Sequence, residues 1–180
     1  MVPRKYDPHI HHRRSIRLKS YDYNQAGAYF ITICVQNREC LLGQIAHQTL
    51  HLSEYGEIVR QVWNHLPYHF DNLDIDAAVI MPNHFHGILL LTSSLYIDTI
   101  AQPFYQQKTL LGKTIAYFKY QTTKLINHTR DSIGARFWQR NYYEHIIRGE
   151  QSLTLLRKYI LENPFRWDVD VLHPNNPSKW

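Results

Sequence analysis

Cysteine is scarce in this sequence, because the 180 residues contain only Cys34 and Cys40. Two cysteines alone make no disulfide framework, and their spacing matches no thiolate metal site. Apolar runs are also short, and none reaches the roughly 18 residues that a membrane-spanning helix needs. The first twenty residues lack the hydrophobic segment of a secretory signal. These absences predict a cytoplasmic protein with reduced thiols and no membrane partner.

Basic residues are unevenly distributed along the chain. Hydrophobic residues make up 44% of it, which is enough apolar material for one folded domain. Residues 1–20 contain six basic residues and one acidic residue, and residues 108–158 contain ten and three. A basic arm and a basic second half favour a polyanionic partner, although an ordinary solvated surface gives the same pattern.

Hydrophobic periodicity predicts seven secondary-structure elements. Strands are expected at 27–37, 72–81, 84–92 and 137–148, and helices at 53–70, 109–129 and 152–163. Ser53 is expected to cap the first helix, and Pro82-Asn83 to form the turn between the second and third strands. This order predicts an α+β fold with a ferredoxin-like antiparallel sheet, βαββαβ, and helices on one face. A C-terminal helix carrying a tyrosine follows, and the other sheet face is expected to be open to a ligand.

Two of these elements have expected buried faces. Strict alternation in the second strand places one set of side chains on a single face: Leu73, Ile75, Ala77, Val79 and Met81. Helical spacing in 109–129 gives one stripe: Leu111, Ile115, Phe118, Thr122 and Leu125.

Two histidines interrupt an otherwise apolar strand in the stretch VIMPNHFHGILLL, residues 79–91. Successive strand side chains alternate between faces, so His84 and His86 point the same way while Phe85 points to the opposite layer. Neutral imidazole is the commonest metal ligand, and the two rings can converge on one divalent ion. Gly87 removes bulk beside them, where another chain can approach. Two hydrogen-bonded histidines without a metal are the plainer interpretation, and a metal needs a third ligand from elsewhere.

The last predicted helix offers both a third ligand and a nucleophile, in the segment YILEN. Tyr159 and Asn163 are four residues apart, so they share one face of the helix. The amide oxygen of Asn163 suits a hard ion such as Mg²⁺ or Mn²⁺. A cation lowers the pKa of the Tyr159 phenol, with help from Arg157 or Lys158, and favours its attack on a phosphodiester. A half-buried tyrosine without a chemical role is the alternative. Two rival tyrosines occupy a predicted strand, Tyr142 and Tyr143.

These residues give the chain a resemblance to a known family. The segments DYNQAGAYFITICVQNR, GEIVRQVWNHLP, DAAVIMPNHFHGI, FWQRNYYEHIIR and LRKYILENPFRW run from about residue 12 to 170. In this order they resemble the HUH-type single-strand tyrosine transposases, and among them the REP-associated tyrosine transposase branch.

The resemblance implies a metal-dependent transposase that nicks and rejoins single-stranded DNA next to hairpins. By this resemblance, Tyr159 attacks the backbone phosphate and becomes linked to the 5′ phosphate. A divalent ion, Mg²⁺ or Mn²⁺, is held by His84, His86 and Asn163 and polarises that phosphate. The phosphotyrosine conserves the energy of the broken bond, so rejoining needs no ATP.

The resemblance also implies DNA, single-stranded and hairpin, as the partner, with the protein on the bacterial nucleoid when bound. The candidate DNA-binding residues are basic: Arg13, Arg14, Arg17, Arg140, Arg148 and Lys158. We expect a basic arm at 1–24, the HUH domain at 25–165 and a tail at 166–180. One tyrosine leaves the choice between a monomer and a helix-sharing homodimer open. The alternative function is a non-catalytic hairpin-binding module with a vestigial metal site, and a weaker one is a phosphodiesterase that uses water.

Overall fold

A computed structural model describes residues 25–92 and 109–176 of the chain, so Arg13, Arg14 and Arg17 lie outside the described residues. The strands are β1 Gly27–Cys34, β2 Gly43–Ala46, β3 Thr49–Leu52, β4 Leu73–Met81, β5 His84–Leu91 and β6 Tyr143–Ile147. The helices are α1 Glu54–Asn64, α2 Leu66–His69, α3 Leu110–Thr129 and α4 Glu150–Glu162, with 3-10 helices at Gln36–Arg38 and Asn163–Val169. In these ranges no helix has the length and apolar character required to cross a bilayer.

The main sheet has the strand order β4-β5-β1-β6, and each neighbouring pair is antiparallel. This is the order of the ferredoxin-like fold, so the predicted fold class is confirmed. An additional hairpin, β2-β3, lies between β1 and α1 and was not predicted. Its turn residues His47 and Gln48 both have positive φ, 51° and 62°. Such turns usually contain glycine or asparagine, so this one carried no sequence signal.

One face of the sheet is covered by α1 and α3. Both helices begin as their sequences dictate, because Ser53 and Thr109 accept hydrogen bonds from the backbone amides of Gly56 and Gly112. Their apolar sides meet the strand residues in the larger core. The predicted stripe of α3 is wrong at its end, where Leu125 is 44% exposed and Ile126 is buried. Because a helix has 3.6 residues per turn, an apolar stripe shifts around it along its length, and here the last buried position is Ile126 instead of Leu125.

The expected single face of β4 is also wrong, because the strand contains a bulge. Register with β5 shifts between Ile75 and Ala78. Leu73 and Ile75 therefore pack in the larger core, whereas Ala77 and Val79 pack on the opposite face. An extra residue in one strand reverses the facing of all that follow, and periodicity alone does not reveal it.

The second sheet face is partly covered by α4 rather than open. Residues Leu153, Leu156 and Ile160 of α4 pack against Phe30 and Ile88 of the sheet. The position of this helix on the face opposite α1 and α3 was not predicted, because the other face of the sheet was expected to be open. The face that was expected to be open to a ligand is therefore partly occupied by α4.

Candidate functional site

The histidine pair lies at the start of β5, on the face that α4 covers. A two-residue turn, Pro82-Asn83, returns the chain from β4, and β5 begins at His84. His84 and His86 are 0% and 2% exposed, and their ring centroids are 4.6 Å apart. Phe85 between them packs on Trp63 in the opposite core, which fixes the strand and both ring directions.

Each imidazole has a hydrogen-bond partner on Nδ1, and its Nε2 lies near Tyr159 in the case of His86 and near Asp170 in the case of His84. Nδ1 of His84 lies 2.7 Å from Oδ1 of Asn83. Nδ1 of His86 lies 2.8 Å from Oγ1 of Thr32, its partner across β1. A metal-binding histidine is usually oriented in this way through its second nitrogen.

The helix α4 brings Tyr159 to the same place. Its hydroxyl is 3.3 Å from Nε2 of His86, and the phenol remains 38% exposed. Phe30 supports both rings: it stacks on His86 at 5.2 Å between centroids and meets Tyr159 edge-on at 5.9 Å. The phenol oxygen is thus within hydrogen-bond distance of a histidine nitrogen while one side of the ring is accessible to solvent.

Two further oxygen-bearing side chains complete the cluster. Asn163 ends α4 and is 2% exposed, and its Oδ1 is buried without a hydrogen-bond partner among the described residues. Asp170 follows the 3-10 helix, and its Oδ2 lies 4.0 Å from Nε2 of His84. Sequence reasoning missed Asp170, because no spacing links an acid in the tail to the histidine pair. The 3-10 helix Asn163–Val169, whose second residue is Pro164, brings it there.

Burial controls the charge of both histidines. Burial lowers the pKa of His84 well below 6.5, and the charges of His86 and Arg38 lower it further. Burial lowers the pKa of His86 to about 3, although a hydrogen bond with the backbone of Ile31 raises it. Both rings are therefore neutral near pH 7, the state in which imidazole binds a metal.

The pKa values of the Tyr159 phenol and the Asp170 carboxyl group are both raised. Burial raises the pKa of Tyr159, and the charge of Asp170 adds to that rise, while a hydrogen bond with Asn163 lowers it. Burial also raises the pKa of Asp170. The hydrogen bond from the backbone amide of Leu172 lowers it, but by less than burial raises it. The protein alone therefore makes Tyr159 a weaker acid than free tyrosine, and a nearby positive charge is needed to reverse this.

The donor set fits a divalent cation. Nitrogen and oxygen atoms of His84, His86 and Asp170 all lie within 4.8 Å of one another. Donors that share one ion at roughly 2.0–2.2 Å lie up to about 4.4 Å apart, so this spacing is close to that of a bound ion. Nε2 of His84 and Oδ1 of Asn163 are both buried atoms without a partner in the described chain. Two imidazoles and a carboxylate suit Mg²⁺, Mn²⁺ or a similar ion.

Gly87 was expected to leave room beside the histidines for another chain, but the structure gives it a different role. A Cβ on Gly87 would lie 2.7 Å from the Trp63 ring and 2.8 Å from the Phe85 ring. Gly87 therefore allows close packing in the core beneath α1, on the face away from the histidines, and the expected approach of another chain at this position is wrong.

Three of the predicted DNA-binding residues lie within the described ranges, and all three are exposed: Arg140, Arg148 and Lys158. Arg140 and Arg148 flank the two ends of the edge strand β6. Lys158, next to Tyr159, is exposed and lies 3.7 Å from Glu162. Arg157 makes a two-pronged ion pair with Asp76 at the β4 bulge, so its charge is engaged there and not on the phenol.

The rival tyrosine Tyr143 lies on the same sheet face as the histidines. It opposes Thr32 in the register of β6 with β1, and His145 opposes Phe30. Directly opposed residues share a face. Tyr143 is 46% exposed and lies opposite Thr32, whose hydroxyl bonds to His86.

Sequence and structure comparisons identify proteins that are similar to this chain. No family model matches the chain. A protein of Haemophilus influenzae whose function is uncharacterized is 42% identical over 94% of this chain and 97% of its own length. A second protein of that organism, described as a REP-associated tyrosine transposase, is 27% identical over 81% of this chain and 74% of its own. The structure of a REP-associated tyrosine transposase bound to a REP hairpin aligns with a TM-score of 0.55, 19% identity, and coverage of 84% and 74%.

The identity with the uncharacterized relative shows that the two proteins belong to one family. The structural likeness shows the shared fold. Together with the second relative, it confirms the resemblance to REP-associated tyrosine transposases that the sequence motifs indicated.

Proposed function

Since this chain belongs to one family with an uncharacterized Haemophilus influenzae protein and resembles the REP-associated tyrosine transposases in sequence and fold, we propose that it is a metal-dependent DNA transposase. In this proposal it nicks and rejoins single-stranded DNA beside hairpins through a 5′-phosphotyrosine. The observation that carries the proposal is the 3.3 Å distance between the Tyr159 hydroxyl and Nε2 of His86.

Tyr159 is the proposed nucleophile. Its oxygen attacks a backbone phosphorus, the bond from phosphorus to the 3′ oxygen breaks, and the phenol proton leaves to solvent as the 3′ oxygen gains one. The product is a phosphodiester between Tyr159 and the 5′ side of the DNA. Attack of a 3′ hydroxyl on this bond reverses the step and joins strands without an added energy source.

His84, His86, Asp170 and Asn163 are the proposed ligands for a divalent cation. When bound, the cation supplies positive charge that lowers the pKa of the phenol and stabilises charge on the phosphate oxygens. The neutral state of both imidazoles and the unpartnered Asn163 Oδ1 support this assignment.

One chain is enough for the proposed chemistry. Tyr159 and the histidines belong to the same chain and already lie together, with α4 packed on its own sheet through Leu153, Leu156 and Ile160. We therefore favour a monomer that completes its active site by itself over the helix-sharing dimer.

A DNA hairpin is the proposed partner. The similar structure is of a protein bound to a REP hairpin, and this chain has a basic second half. The proposed contacts to DNA are the exposed Arg140, Arg148 and Lys158, together with Arg13, Arg14 and Arg17 of the arm. Phosphate contacts of this kind predict affinity that falls steeply as salt is added.

The test is a covalent adduct. Labelled single-stranded hairpin DNA and Mn²⁺ are incubated with the protein, and a protein–DNA band that survives denaturant is expected. Tyr159→Phe removes the nucleophile and abolishes the band, whereas Tyr120→Phe, at a tyrosine 62% exposed on α3, leaves it unchanged. An adduct that persists in Tyr159→Phe contradicts the assignment.

The raised pKa of Tyr159 favours a second candidate, a hairpin-binding module that does not cut. In that case wild-type protein binds the hairpin but gives no adduct with any divalent metal. A water-based phosphodiesterase is distinguished in the same assay, because it cleaves the DNA without an adduct and retains cleavage in Tyr159→Phe.

A further inference from the structure

Asn83, the second residue of the β4–β5 turn, makes an unusually complete set of hydrogen bonds. It is 1% exposed. Its Nδ2 donates to the backbone carbonyl of Arg38 at 3.2 Å and to that of Leu172 at 2.8 Å. Its Oδ1 lies 2.7 Å from Nδ1 of His84. One amide thus joins three separate segments of the chain at the edge of the cluster formed by His84, His86 and Asp170.

These bonds determine which way the amide points. Carbonyl oxygens only accept hydrogen bonds, so the group facing Arg38 and Leu172 must be the NH₂. The reversed amide would set its oxygen against two carbonyl oxygens in a buried place, which is costly. Oδ1 therefore faces His84, and the neutral imidazole must carry its proton on Nδ1.

The proton on Nδ1 leaves a lone pair on Nε2 of His84. That atom is buried, has no partner among the described residues and lies 4.0 Å from Oδ2 of Asp170. Free histidine favours the opposite tautomer, with the proton on Nε2, which cannot bind a metal through that atom. The bond to Leu172 also holds the segment that carries Asp170, two residues earlier, beside the same nitrogen.

We propose that Asn83 is a positioning residue that fixes His84 in the Nδ1–H tautomer and anchors the Asp170 segment, so that both donors face one point. Its relevance to catalysis rests on the proposed metal-dependent function, but the tautomer itself does not. If Asn83 only shaped the turn, replacing its side chain would change neither the tautomer of His84 nor the affinity for the metal.

The first test is the protonation pattern of the imidazoles in metal-free protein, read by long-range proton–nitrogen NMR of labelled histidines. His84 in the wild type is expected to carry its proton on Nδ1. Asn83→Asp keeps an acceptor toward Nδ1 and retains this tautomer, whereas Asn83→Ala shifts His84 toward the Nε2–H form. His86, bonded to Thr32 instead, is the internal control and keeps its pattern in both variants.

The second test is Mn²⁺ binding, measured by titration without DNA. Asn83→Ala is expected to weaken Mn²⁺ binding about 10- to 100-fold. Asn83→Asp is expected to recover only part of the affinity, because a carboxylate keeps the acceptor toward His84 but cannot donate to the carbonyls of Arg38 and Leu172. Wild-type His84 protonated on Nε2 overturns the proposal even if Asn83→Ala fails to fold. Equal affinities in wild type and a folded Asn83→Ala also overturn it. A correct tautomer and Mn²⁺ affinity without a DNA adduct would instead count against the proposed transposase alone.

Discussion

The hydroxyl of Tyr159 lies 3.3 Å from Nε2 of His86, although 73 residues separate them along the chain. Two independent packing features produce this distance. Phe85 anchors β5 in one core, and Ile160, the neighbour of Tyr159, anchors α4 in the other. Because adjacent helix positions point about 100° apart, burying Ile160 directs Tyr159 along the sheet surface to the exposed side of the cluster.

Removal of the Asp170 carboxylate is expected to weaken metal binding. Asp170→Asn keeps the side-chain shape and an oxygen for the backbone amide of Leu172, but it removes the negative charge beside His84. We expect the Mn²⁺ dissociation constant, measured by calorimetry, to rise at least about tenfold. Asp168→Asn, at an exposed acid of the same segment, is the control and should not change it. Equal effects of the two changes would exclude Asp170 as a ligand.

The ion pair between Arg157 and Asp76 is expected to position the tyrosine helix. Arg157 Nε and Nη2 donate to both carboxylate oxygens at 2.6–3.2 Å, which ties α4 to the β4 bulge. Small displacements of a reacting group cost up to about a hundredfold in rate. Arg157→Ala should therefore slow formation of the Tyr159–DNA adduct by about ten- to a hundredfold, as measured in single-turnover assays, with hairpin affinity nearly unchanged.

Arg166→Ala provides the comparison for that experiment. Arg166 pairs with Glu162 four residues earlier, so its ion pair stays within the same segment and holds nothing to the sheet. Its removal should leave the adduct rate near that of the wild type. A loss of hairpin binding in Arg157→Ala as large as the loss of rate would indicate a DNA contact rather than a positioning role.

The sequence predicted the parts of this molecule that depend on local periodicity. Alternation and helical spacing located the strands and helices of the main fold, and the cap at Ser53 followed from its hydroxyl. Irregular backbone was not predictable in the same way. The positive φ angles at His47 and Gln48 occur without glycine, and the β4 bulge leaves the composition of the strand unchanged.

The same distinction between local pattern and irregular backbone applies to the candidate site. His84, His86, Tyr159 and Asn163 were predicted because each pair has a short spacing along the chain. Asp170 reaches the cluster only through a 3-10 helix and tail packing, which no periodic pattern describes.

Acid is expected to destabilise the metal-free protein through its buried histidines. In the folded state the pKa of His86 is about 3, and that of His84 is also well below 6.5. The unfolded chain takes up protons on these rings as pH falls below 6.5, and the folded chain does not. The free energy of unfolding should therefore decrease between pH 6.5 and about 3, by up to about 1.4 kcal/mol per pH unit for each histidine.

Urea unfolding of wild type and His86→Gln in the presence of a chelator, at pH 7 and pH 4.5, measures this effect. The variant lacks one of the two buried rings, so its stability should fall less between the two pH values. His51→Gln, at an exposed histidine on β3, should retain the wild-type dependence. The same pH dependence in all three proteins would contradict burial of a neutral His86.

Tyr143 is expected to stack on a base of the bound strand. Its ring is 46% exposed on the site face, opposite Thr32, whose hydroxyl bonds to His86. Loss of one aromatic stacking partner costs about 1–3 kcal/mol, so Tyr143→Ala should weaken binding of single-stranded DNA roughly 5- to 150-fold. Tyr143→Phe keeps the ring and should bind normally, and Tyr68→Ala, at a tyrosine 87% exposed on α2, is the control for a general surface effect.

Fluorescence anisotropy with a short unpaired oligonucleotide measures each affinity. Equal binding by Tyr143→Ala and wild type would show that the strand does not cross β6, and normal adduct formation by Tyr143→Phe is required if Tyr159 alone is the nucleophile.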